Sequence, residues 1–138
     1  MTPREARLNH LANFLVGGTG VLWIWMRYFM EPLDEFAVIN HPLEPSIAAL
    51  HLITAPLLVF SVGLIWRIHA WEKYRSESPI RRRTGILLYT LFIPLVASGY
   101  FLQIVEEEVS RSLWLATHLI TGGAWILVYV GHQLLRKS

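Results

Sequence analysis

Apolar residues gather into four runs of similar length, Leu11 to Met30, Ile47 to Trp66, Gly85 to Ile104 and Leu113 to Leu135, separated by short polar segments. Each run is close to the ~20 residues with which a helix crosses a ~30 Å hydrocarbon layer. Little chain remains between the runs, so consecutive helices are predicted to pack antiparallel in one all-α, integral membrane, up-down four-helix bundle. No internal repeat is visible, and residues 1–138 read as a single domain. Pro32, Pro42 and Pro45 punctuate the first connection and Pro79 the second, whereas Pro56 and Pro94 fall inside predicted spans, where either is a candidate kink. Tyr28, Trp66, Trp71, Tyr74 and Trp114 lie near span ends, as interfacial anchors do.

Composition agrees with a membrane protein: 54% of residues are hydrophobic and the mean hydropathy is +0.42. There is no cysteine, which excludes disulfides, thiolate metal sites, iron–sulfur clusters and covalent c-type haem within this chain. The net charge of +2 does not point to nucleic acid, because the basic residues flank the apolar runs instead of forming one soluble face. They sort by loop. Arg4 and Arg7 precede the first run; Lys73, Arg75, Arg81, Arg82 and Arg83 follow the second; Arg136 and Lys137 end the chain. Glu31, Asp34, Glu35 and Glu44 fill the first connection and Glu106, Glu107 and Glu108 the third. The positive-inside rule then places both termini in the cytoplasm. The first run is as long as a full span and lacks a small-residue cleavage site, so it is expected to stay in the mature protein.

Histidines carry the chemical signal. His10, His51, His69, His118 and His132 lie in or at the edge of predicted spans, where polar side chains are expensive and usually have partners. His118 and His132 are 14 residues apart, about 1400° of helical rotation and a rise of ~21 Å, so one helix presents two imidazoles at two depths on nearly one face. His51 matches the outer depth of His118, and His10, three residues after Arg7, matches the inner depth of His132. Two tiers of paired histidines suit two b-type haems, each with two axial imidazoles and hence built for electron transfer instead of oxygen binding. His69 also shares a face with His51, 18 residues earlier, but its ~27 Å rise carries it deeper toward the cytoplasmic headgroups. We therefore take His10 as the inner partner and His69 as the alternative. His41, in Asn40-His41-Pro42, reads as a solvated loop residue.

Gly17, seven residues after His10, and Gly122, one turn after His118, leave room for a macrocycle; the other glycines read as close-packing residues. Haem propionates need cations or water, for which Arg27 and Arg111 are outer candidates and Arg67 and Lys73 inner ones, although snorkelling to lipid headgroups explains them equally well.

With these residues in view, the chain resembles the small di-haem cytochrome b family that includes membrane subunits of respiratory formate dehydrogenases, nickel–iron hydrogenases and thiosulfate reductases. The resemblance spans nearly the whole chain and rests on His10, His51, His118 and His132, with weaker likeness at Leu8-Asn9-His10, Thr19-Gly20, Ser98-Gly99-Tyr100, Thr117-His118 and Gly131-His132. It implies one ligand from the first helix near its cytoplasmic end, one from the second near the outer side and two from the fourth. It also implies a multi-pass protein of the bacterial cytoplasmic membrane that exchanges electrons between a quinone pool and a partner. Quinone would sit near His10 and His132, with Asn9 as a hydrogen-bonding neighbour. The chain has short loops and no catalytic domain of its own, so a separate redox protein is expected, a multihaem cytochrome or an iron–sulfur subunit with basic patches facing the acidic loops.

Three other functions compete. A stand-alone membrane oxidoreductase acting on quinol or superoxide would use the same ligands. A proton-conducting or transport subunit would be expected to carry carboxylates within the predicted spans, which contain no Asp or Glu. A structural assembly subunit without cofactor leaves the cost of the histidines within the spans unexplained.

Overall fold

In the computed structural model, which describes residues 2–32, 34, 36–66 and 79–134, the chain forms four long helices and, among those residues, no strand. They are α1 (Pro3–Phe29), α2 (Glu44–Ile65), α3 (Pro79–Ile104) and α4 (Glu108–Leu134). Arg67, His69, Trp71, Lys73, Tyr74, Arg75, Arg136 and Lys137 lie outside the described residues.

Local chemistry sets the helix ends. α1 starts eight residues before the apolar run because Thr2-Pro3-Arg4-Glu5 is a capping box. The Thr2 hydroxyl accepts from the Glu5 amide at 3.2 Å, the Glu5 carboxylate accepts from the Thr2 amide at 2.6 Å, and Pro3 occupies a first-turn position that needs no donor. His10 is therefore well inside a helix instead of at its edge. Glu107 caps α4 by accepting from the amides of Val109 at 2.9 Å and Ser110 at 2.7 Å. Hydrogen bonds from the Ser110 side chain, then from the Ser110 and Val109 amides, hold its carboxyl below the usual carboxylate range. α2 and α3 continue through Pro56 and Pro94.

The chain divides into two compact units, Met1–His69 and Ala70–Ser138, each a helical hairpin. In the first, α1 and α2 run antiparallel: Asn9 meets Ser61 at one end, Thr19 meets His51 farther along, and Arg27 meets Glu44 beside the connection. In the second, α3 and α4 do the same, with Thr84 opposite His132, Ser98 opposite His118, and Phe101 stacked on Trp114 at 4.3 Å.

Polarity is inverted relative to a water-soluble core. Ser61 and Ser98 are 1% and 0% exposed, and Asn9, Asn13, Thr19 and Thr54 are also buried, while Phe14, Ile53 and Leu127 are 76%, 75% and 75% exposed. Such a surface suits hydrocarbon surroundings, and small or hydroxylated residues between helices let the backbones approach. α2, α3 and α4 are each long and apolar enough to cross a membrane, which makes the chain a candidate multi-pass membrane protein in contact with lipid. α1 is not among them, so by length and apolarity the four expected spans become three. Asn9, His10, Asn13, Thr19 and three glycines among its residues lower its apolarity.

The buried polar groups of the first hairpin satisfy one another. Asn9 Nδ2 donates to Ser61 Oγ at 3.2 Å, Ser61 donates to the Leu58 carbonyl at 3.0 Å, and Asn13 Nδ2 donates to the Asn9 carbonyl at 2.8 Å. Replacing Asn9 by leucine is expected to weaken the hairpin by ~0.5–2 kcal/mol, the span of interhelical side-chain hydrogen bonds in membrane proteins and model peptides. A lowered midpoint in a detergent unfolding titration would register this, whereas an unchanged midpoint would show that the ladder contributes nothing.

Candidate functional site

Three of the histidines singled out in the sequence are held in the same way. His51, on α2, places Nδ1 3.1 Å from Thr19 Oγ1 and 3.1 Å from the Val16 carbonyl, both on α1. His118, on α4, places Nδ1 3.1 Å from Ser98 Oγ and 3.2 Å from the Leu95 carbonyl, both on α3. His132, farther along α4, places Nδ1 2.7 Å from Thr84 Oγ1 on α3.

Proton counting fixes the tautomer of the first two. A carbonyl oxygen only accepts, so Nδ1 of His51 and of His118 must carry the hydrogen. The hydroxyls agree: Thr19 spends its proton on the Leu15 carbonyl at 2.6 Å and Ser98 on the Leu95 carbonyl at 3.0 Å, leaving each oxygen to accept from the imidazole. In the neutral ring the lone pair then resides on Nε2, the nitrogen through which an imidazole held by a hydrogen bond at its other nitrogen binds metal. The Thr84–His132 contact runs in either direction, according to the tautomer of the ring.

A glycine follows each hydroxyl residue, and two of these glycines admit the ring. A Cβ on Gly20 would lie 3.1 Å from His51 Cε1, and one on Gly99 would lie 3.2 Å from His118 Cε1, both tighter than ordinary contact; at Gly85 the distance to His132 Cε1 is 3.9 Å. Trp23 lies edge-on to His51, with 6.0 Å between ring centroids.

Comparison with protein-family models, with curated proteins and with solved structures finds no match. Function is therefore argued from these seats. Among the described residues no three His, Cys, Asp or Glu side chains cluster as they would around a bare metal ion. An imidazole with its Nδ1 anchored in this way could serve as a ligand to the iron of a porphyrin, which would supply the other ligands itself.

The other sequence candidates fall as follows. His10 is exposed on α1, beside the buried Asn9. His10 and His51 belong to the first unit, His118 and His132 to the second; His69 and Arg67 lie outside the described residues. His41 accepts the Leu43 amide at 3.1 Å and so helps shape the first connection. Gly17 lies within α1, and a Cβ on Gly122 would make ordinary contact with Leu95 Cδ1 at 3.5 Å. Arg27 Nη1 donates to the Val38 carbonyl at 3.0 Å and pairs with the buried Glu44 at 3.4 Å. Arg111 Nη1 donates to the Leu102 carbonyl at 2.8 Å, near the end of α3.

Thr19, Thr84, Ser98 and the flanking Gly20, Gly85 and Gly99 were not anticipated as a group. A signal existed. Thr84 and Ser98 are 14 residues apart, the interval between His118 and His132, and antiparallel helices keep both hydroxyl–imidazole pairs in register when the intervals match.

Proposed function

We propose that this chain is a membrane electron-transfer protein carrying two b-type haems, His51 and His118 serving the outer iron and His10 and His132 the inner one. The observation that carries this reading is the common seating of His51, His118 and His132, each with Nδ1 engaged by a hydroxyl on the facing helix and the first two fixed as the Nε2 ligand tautomer. When bound, haem supplies an iron that gains and loses single electrons. The protein's part is to present Nε2 lone pairs, hold the rings against rotation and keep water from the centre with its apolar helices. Gly17 and Gly122 give the macrocycles clearance.

In this reading α1 is the fourth span of an up-down bundle with both termini in the cytoplasm. Its polar residues do not oppose insertion, because Asn9, Asn13 and Thr19 bond within the hairpin instead of facing lipid. The chain works in the bacterial cytoplasmic membrane between a quinone pool and a separate redox protein, a multihaem cytochrome or an iron–sulfur subunit. Quinone binds near His10 and His132, with Asn9 as its polar neighbour. Arg27, Arg67 and Arg111 are the cations closest in sequence to the propionate levels.

Pyridine haemochrome analysis with stoichiometry tests the assignment. Wild type is expected to hold two haems per chain, His10→Ala one and His69→Ala two. Loss of a haem in His69→Ala alone would transfer the inner ligand to His69.

A further inference from the structure

The connection between α1 and α2 repeats, in a loop, the inverted polarity of the helices. Its polar groups turn inward. Asn40 Nδ2 donates at 2.8 Å to the carbonyl of Arg27, in the last turn of α1, where helical carbonyls lack partners of their own. The buried Glu44 accepts the Asn40 amide at 3.1 Å and pairs with Arg27, whose Nη1 also donates to the Val38 carbonyl at 3.0 Å. The Phe36 and Ala37 amides are spent on Asp34, and those of Leu43 and Glu44 on His41. With the backbone pinned in this way, apolar side chains face outward: Phe36 is 91% exposed, Val38 83% and Leu43 55%.

Such a surface suits a covering that asks for no hydrogen bonds, because the amides of Phe36, Ala37, Asn40, Leu43 and Glu44 are already bonded. In the chain it runs from the aromatic end of α1, where Trp25, Tyr28 and Phe29 are exposed and Trp25 stacks on Phe29 at 5.2 Å, into α2, which is apolar and long enough to cross a membrane. Exposed aromatic rings at a helix end form the belt found where a bilayer meets water. Resting on the membrane placement of α1 and α2 read above, and not on haem, we propose that Phe36 to Leu43 is an interfacial anchor. It lies on the bilayer with Phe36, Val38 and Leu43 in the boundary between headgroups and acyl chains, aimed there by the clasp of Arg27, Asn40 and Glu44. Glu31 and Asp34, both exposed, stay on the aqueous side and favour zwitterionic over anionic lipid. The anchor sets the depth and rotation of the α1–α2 hairpin in the membrane.

The chain has no cysteine, so a single introduced cysteine carries a nitroxide spin label without background. The purified full chain is placed in phosphatidylcholine vesicles, and collision of the label with oxygen, which enters lipid, is compared with collision with a water-soluble nickel chelate. Asp34→Cys is the aqueous reference and Ile53→Cys, 75% exposed on α2, the hydrocarbon reference. Labels at Phe36→Cys and Val38→Cys are expected between the two, ~5–10 Å into the boundary, where interfacial apolar faces sit. Adding Glu44→Ala should move the Val38→Cys label toward the aqueous value while the Ile53→Cys label keeps its depth. Labels at 36 and 38 that meet the chelate as freely as the one at 34, or that neither reagent reaches because protein covers them, would overturn the anchor. A Val38→Cys label unmoved by Glu44→Ala would overturn the role of the clasp. An Ile53→Cys label open to the chelate would instead remove the membrane placement itself.

Discussion

Replacing His118 by alanine is expected to leave the purified chain with one haem instead of two, and His51→Ala to lose that same haem. His132→Ala should lose the other, and the double variant His51→Ala/His118→Ala should do no worse than either single one. The expectation follows from the ligand pairing proposed above. An iron porphyrin held between two imidazoles loses half its protein ligation when one is removed, and disturbing even an outer hydrogen bond to a metal ligand typically costs 10–100-fold in affinity. Misfolding is an insufficient explanation for the loss, because Ser98 keeps its 3.0 Å bond to the Leu95 carbonyl and Thr19 its 2.6 Å bond to the Leu15 carbonyl when the imidazole is gone. No buried hydroxyl is stranded. Haem absorbance relative to protein gives the stoichiometry. Retention of two haems in both His51→Ala and His118→Ala would show that neither ring ligates iron.

Gly99→Val and Gly20→Val should cut haem occupancy nearly as far, although neither glycine is a ligand. The Cβ alone would approach His118 Cε1 to 3.2 Å or His51 Cε1 to 3.1 Å, so alanine already requires the ring to yield by a few tenths of an ångström. Valine adds two branches that a helix confines to few rotamers, and the ring must swing off its hydroxyl to escape them. At Gly123, where nothing lies within 4 Å of a built Cβ, alanine is the control and should leave both haems in place. Equal occupancy in Gly99→Val, Gly20→Val and Gly123→Ala would mean that ring position does not govern cofactor retention.

The helices and their antiparallel pairing within each hairpin were legible in the sequence because apolar runs of membrane length have few alternatives. That His51, His118 and His132 would have partners was legible too, since an imidazole in such a run demands one. The start of α1 was missed although Thr2-Pro3-Arg4-Glu5 spells a capping box, because attention to apolar runs passes over a polar first turn. The seats were harder to see. A hydroxyl beside a glycine is ordinary helix-packing material, and in Thr121-Gly122, which has the same form, the hydroxyl bonds to carbonyls of its own helix and the glycine meets Leu95. The shared 14-residue interval of Thr84 and Ser98 with His118 and His132 distinguishes two of the three seats, and Thr19–His51 has no such mark. The roles of Arg27 and Arg111 were illegible for a different reason: their acceptors include the backbone carbonyls of Val38 and Leu102, which leave no mark in a sequence.

Electron paramagnetic resonance of the oxidised wild-type protein bears most directly on these imidazoles, since it reports the ligand field at each iron. The account predicts two low-spin ferric haems per chain, both ligated by paired imidazoles. A protein without haem, or with only high-spin, five-coordinate iron, would contradict it.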